Sequence, residues 1–173
     1  MASLKQVIGP YSLFAALRGT MAGTIGTIPM TLFMLAMHQL LPRWQRYALP
    51  PEEITREATE RMQVRQYMTR PQELGATLVS HFGYGASMGL FYSLFVEQWS
   101  LAALFKGMLF GLLIWAGSYL GWLPAANFSV AAPEEPLRRN ALMIVAHLIW
   151  GTTTAFVSDA LKKKLQRDDL YME

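Results

Sequence analysis

Three histidines are the side chains of this chain best suited to chemistry: His38, His81 and His147. His81 and His147 are each followed four residues later by a glycine, Gly85 and Gly151. Residues four apart share a helical face, so both imidazoles should point toward a neighbouring helix. An ionisable side chain inside a membrane helix marks a candidate functional site. Two histidines at matched depth across a pseudo-two-fold axis suit axial ligation of one haem b iron, or of a chlorophyll magnesium each. A proton or ion relay is a further use. The plainer role is a neutral imidazole hydrogen-bonded across a helix interface, to Ser80, Thr77, Ser118 or Thr152, worth about 1 kcal/mol.

Other chemistry is scarce. The chain has no cysteine, which removes disulfides, thiolate nucleophiles and Cys-ligated metals or iron–sulfur clusters. No carboxylate pair, Ser/His/Asp set or phosphate-binding loop stands out, so neither an enzyme nor a protein metal site is expected. The net charge of +3 comes from basic clusters flanking apolar stretches, which suits anionic lipid headgroups rather than nucleic acid.

The elements that must carry these residues follow from four stretches without a charged side chain: Gly19–Pro42, Leu74–Val96, Gly107–Pro133 and Asn140–Ser158. About 20 apolar residues at about 1.5 Å each cross a hydrocarbon core of roughly 30 Å. The expectation is an all-α integral membrane four-helix bundle in one domain, with spans at about 12–41, 74–96, 101–122 and 138–161. Pro29 should kink the first span, and Leu123-Pro124 should stop the third. Met1–Gln6 makes a poor leader, so the first span reads as retained. Pro50–Glu73 is the one sizeable polar segment. Its prolines and Glu52-Glu53 open a helix, and its spaced apolar residues predict a short amphipathic surface helix over about 51–69. Four spans put both termini on one side. That side carries seven basic residues and the other eight, so the positive-inside rule hardly separates them. The triple lysine Lys162–Lys164 abutting a span favours cytoplasmic termini. Arg18, Glu97, Lys106 and Asp159 all fall at span ends on the terminal side, and Arg18 is expected to pair with Asp159 or to snorkel to the headgroups.

A pattern recurs in the two halves. Arg18-Gly19 with Gly23 is echoed by Lys106-Gly107 with Gly111, and His81-x-x-Tyr84-Gly85 by His147-x-x-Trp150-Gly151. The halves thus read as two tandem helical-hairpin repeats about an axis along the membrane normal. Gly19/Gly23, Gly85/Gly89, Gly107/Gly111, Gly117/Gly121 and Gly151/Ala155 are small pairs at i and i+4, the spacing that lets membrane helices approach closely. One of the two pairs on the third span is free to face a partner protein or a second copy of the chain.

The run Ala146-His147-Leu148-Ile149-Trp150-Gly151, the Gly-rich first span and Ser80-His81-Phe82-Gly83-Tyr84-Gly85 resemble the YagU-like family of small bacterial inner-membrane proteins. The resemblance implies a four-span fold in the bacterial cytoplasmic membrane and no activity, since that family is uncharacterised. Pro50–Glu73 reads as a local elaboration upon it. Three functions remain open. The first is an accessory or assembly subunit packed against a larger membrane complex, contacting lipids and other subunits or a second copy, with no cofactor beyond bound lipid. The second is a small b-type cytochrome or pigment carrier using His81 and His147. The third is a proton or ion pathway, for which the spans offer no acid at midplane.

Overall fold

The structure, a computed structural model, describes residues 10–170. The reading of Met1–Gln6 and the charge of Lys5 lie outside them. Helix α1 is Pro10–His38, α2 Pro50–Arg61, α3 Arg70–Phe91, α4 Ala103–Ala116, α5 the single turn Leu123–Ala125, and α6 Leu137–Leu170; no strand occurs among the described residues. The ends of α3 and α4 widen into π-helical turns, Tyr92–Val96 and Gly117–Trp122.

Among the described residues, three stretches are long and apolar enough to cross a membrane: Leu13–His38, Ala103–Ala125 and Leu137–Arg167. The expected span at 74–96 is not among them. Its helix, α3, is 22 residues long, but Thr77, Ser80, His81, Tyr84, Ser87 and four glycines dilute its apolar character.

Several boundaries differ from expectation for local reasons. α1 runs unbroken through Pro29. α2 stops at Arg61, well short of 69, because Gln63 turns left-handed at φ 56°. The Val64 N–H then donates to Thr59 O at 3.1 Å, a Schellman stop made without the usual glycine. Thr69 and Gln72 form a reciprocal capping box that opens α3. Pro124 does not terminate the third span's helix. The break falls earlier, at Gly121 (φ −114°, ψ −106°), and Pro124 sits in the first turn of the short helix that follows. α6 continues past 161 to Leu170, since lysine ends an apolar stretch but is a good helix former.

Three tight seams join the long helices in the order α3–α1–α6–α4. Gly19 and Gly23 of α1 lie against Gly85 and Gly89 of α3: a Cβ on Gly89 would stand 2.6 Å from Gly23 Cα. Gly107 and Gly111 of α4 meet His147 and Gly151 of α6 in the same way: a Cβ on Gly151 would stand 2.8 Å from Gly111 N. Between α1 and α6, Gly26 fits against Trp150 and Thr154, and the Trp150 indole N–H donates to Gly23 O at 3.2 Å. α3 and α4 would close the ring, yet they do not pack backbone to backbone. Gly117 and Gly121 take no part in these seams. A Cβ at Gly117 would meet nothing within 4 Å, and at Gly121 only Ala116 O, at 4.0 Å, because both sit in the π-helical turn.

Candidate functional site

The gap left between α3 and α4 is a cavity of about 230 Å³. Thr27 and Met30 of α1 form its back wall, and Met143, His147 and Trp150 of α6 stand beside them. α3 contributes His81 and Met88, and α4 contributes Ile114. The π-helical turn widens the backbone so that Ser118 and Tyr119 also reach the cavity, a use of π-turns common at functional sites. Ser80, Tyr84 and Trp122 line the cavity and are exposed at the protein surface, so its mouth lies between α3 and the π-turn after α4. The Tyr84 and Ser118 hydroxyls bridge that mouth at 3.0 Å. None of the lining residues is charged.

Both candidate histidines, His81 and His147, are here, and their hydrogen bonds define their tautomers. Thr31 donates its hydroxyl to Thr27 O at 2.7 Å. Its oxygen must then accept from the His81 Nε2–H, 3.1 Å away. His147 Nδ1 lies 2.8 Å from Met143 O, and a carbonyl only accepts, so Nδ1 carries the proton. His81 Nδ1 and His147 Nε2 are therefore lone-pair acceptors, and neither makes a hydrogen bond among the described residues. The His147 ring also stands edge-on to Tyr119, with centroids 5.8 Å apart. His38 is elsewhere: its Nε2 lies 3.0 Å from Tyr47 O at the end of α1.

A bis-histidine haem does not fit this arrangement. A cavity of about 150 Å³ holds benzene, so 230 Å³ has room for roughly nine heavy atoms, a small fraction of a porphyrin. Ligation through His81 Nε2 would also break its bond to Thr31.

α2 roofs the cavity rather than lying free on a surface. Pro51 and Ile54 point into the cavity, and Thr55 Oγ1 is 2.7 Å from Ser80 Oγ. Arginines hold the roof down. Arg139, 4% exposed, donates to Gln45 O and Tyr47 O at 3.2 Å and to Ala48 O at 3.0 Å. It also reaches Glu135 at 3.2 Å and Glu53 at 3.8 Å, and its guanidinium stacks 3.5 Å over the Tyr47 ring. Burial raises the Glu53 carboxyl above its ordinary value despite Arg139. Burial, then the hydrogen bond to Glu135, pushes the Tyr47 hydroxyl up to about 12. Arg61 donates to Ala126 O at 2.8 Å and Asn127 O at 2.7 Å. Arg65 and Arg70 clasp Glu73 at 3.2 and 3.3 Å, and those hydrogen bonds hold its carboxyl below the usual range.

At the far end of the helices Arg18 pairs with Glu97, not with the expected Asp159. The π-turn after α3 carries Glu97 inward, with its N–H donating to Tyr92 O at 2.9 Å. Lys106 donates to Glu97 O at 2.9 Å, and Lys162 stands 3.7 Å from Glu97 Oε1. Met88, Ile114, Tyr119 and the α2 roof were not foreseen as site residues. The spacing of the two halves held a clue: the steps that take Gly23 to Gly111 and His81 to His147 also take Thr31 to Tyr119, and each histidine meets its own member of that pair.

Residues 34–156 match the model of a family described as "Protein of unknown function (DUF1440)". The match runs across residues 50–73, so the roof segment lies within the family's extent. No curated protein and no solved structure matches the chain.

Proposed function

This chain belongs to the DUF1440 family, a family of unknown function in keeping with its YagU-like resemblance, and from its cavity we propose that it is a non-enzymatic four-span membrane protein that holds a small, largely apolar molecule between α3 and α4. The cavity itself carries this reading. It is uncharged, open at one mouth, roofed by α2, and lined by both intramembrane histidines. α3 is the fourth span in this proposal. Its outer face exposes Leu74, Leu78, Val79 and Phe91, as a lipid-facing helix would, and its Ser80, His81 and Tyr84 line the cavity. The four helices make a bundle of two tandem hairpins, α1 with α3 and α4 with α6, whose matched glycines make matched seams. The membrane is the bacterial cytoplasmic one and both termini are cytoplasmic.

The test uses the protein in lipid nanodiscs, with bromobenzene as a quencher of Trp122 and Trp150. Saturable quenching beyond that given by partition into protein-free discs is expected. Ser118→Leu, which adds bulk inside the cavity, should weaken it at least about tenfold. Quenching that is unsaturable and indifferent to Ser118→Leu would refute a binding cavity.

A second reading keeps the accessory subunit. Gly117 has open space where a Cβ would go, and Leu109, Leu112, Leu113 and Leu120 around it are exposed, a face suited to another membrane subunit or a second copy. Migration as a lone monomer on a native gel after mild extraction would count against it.

A further inference from the structure

Resting on the cavity reading above, we propose that the ligand is an uncharged amphiphile headed by a hydroxyl, drawn sideways out of the lipid through the α3/α4 seam. Two independent features support this.

The first is why one seam is open. The step that takes Gly23 to Gly111 takes Gly26 to Ile114, and the step that takes Gly85 to Gly151 takes Met88 to Thr154. On the α1/α6 seam, Gly26 and Thr154 touch and the helices close. On the α3/α4 seam the corresponding residues are Ile114 and Met88, and both line the cavity. Bulky side chains stand where the closed seam has a glycine and a threonine, so the same helix pairing is propped apart. Its mouth, flanked by exposed Tyr84 and Trp122 with ring centroids 6.4 Å apart, opens on the side of the bundle below the α2 roof. In a four-span protein that side faces acyl chains, so the ligand arrives from lipid and a tail can remain there.

The second is what the cavity can recognise. No lining residue is charged, so an ionic headgroup would enter unpaired, at high cost. The imidazoles offer lone pairs, not protons, at His81 Nδ1 and His147 Nε2, because their N–H groups are already committed to Thr31 and Met143. Beside the lining hydroxyls of Ser118 and Tyr119, these two lone pairs select a ligand that donates, and a hydroxyl is an uncharged group that can donate to an imidazole, accept from a neighbouring hydroxyl and still leave an apolar body. Room for roughly nine heavy atoms suits a phenol or a branched alcohol head.

The experiment is a titration in phosphatidylcholine nanodiscs with 4-bromophenol, 4-bromoanisole and 4-bromobenzoate, read by tryptophan quenching and corrected for partition into empty discs. The phenol should bind about tenfold tighter than the anisole, the value of one hydrogen bond, and the benzoate weakest. His147→Leu should abolish the phenol's advantage while leaving anisole binding in place, which also shows that the variant is folded. If His147→Leu loses anisole binding as well, His147→Asn, which keeps an acceptor of similar size, should restore the phenol's preference, and its failure to do so overturns the proposal. Equal binding of phenol and anisole to the native chain would overturn the donor-headed ligand but spare the cavity. Tightest binding by benzoate would overturn the uncharged head. No saturable binding of any of the three would remove the binding function itself.

Discussion

Replacing Arg139 with leucine should unfasten the roof of the cavity. The guanidinium is buried, serves three backbone carbonyls between Gln45 and Ala48, and faces both Glu53 and Glu135. Leucine keeps much of the bulk but leaves two carboxylates without their cation and three acceptors without a donor. Breaking a buried ion pair from one side typically costs about 3–5 kcal/mol. Most of that loss should fall on the docking of α2, because the three glycine seams do not involve Arg139. The chain's lack of cysteine makes this measurable: Ile54→Cys places a single thiol on the roof's inner face, and a bulky polyethylene-glycol maleimide reaches it only when α2 lifts. An opening made easier by about 3 kcal/mol raises the labelling rate about a hundredfold. Arg139→Lys, which keeps the charge but loses the forked geometry, should fall between. A labelling rate within about threefold of the parent would refute the idea that this arginine clamps the roof.

Further expectations can be checked alongside. Gly89→Val drives a Cβ into the α1 backbone at Gly23 and should destabilise the bundle by about 3 kcal/mol or more, read as a lowered melting temperature in detergent, whereas Gly117→Val, in open space, should change it little. Glu73 is held below its ordinary range by Arg65 and Arg70, so its contribution is present above the usual carboxylate pKa and is lost as pH falls through the lowered value. Glu73→Gln should therefore flatten the acid side of the stability profile, and an unchanged profile would exclude the pairing as a determinant. Purified protein should show no visible absorption band; a band that vanished in both His81→Ala and His147→Ala would restore axial ligation of a macrocycle.

The site was legible in part. The glycine four residues after each histidine pointed to an interhelical imidazole, and His81 reaches Thr31 of α1 while His147 stands against Tyr119; small residues four apart also lie where α1 meets α3 and α4 meets α6. Arg18 was expected to pair with Asp159 or to snorkel because both residues fall at span ends on the terminal side. The π-turn after α3 instead brings in Glu97, and nothing in Tyr92–Val96 announces a π-turn. The early end of α2 was likewise hidden, since Gln63 adopts a left-handed conformation usually signalled by glycine or asparagine.

Composition and periodicity alone determine the long apolar helices, the absence of thiol chemistry and the interhelical use of glycine, because each depends on local spacing and side-chain type. Which seams close and which stays open was decided in three dimensions. Ile114 and Met88 are unremarkable apolar residues along the chain. They become a prop only when α3 and α4 are brought face to face by helices already locked through α1 and α6, and the cavity exists because backbones cannot approach where those side chains stand.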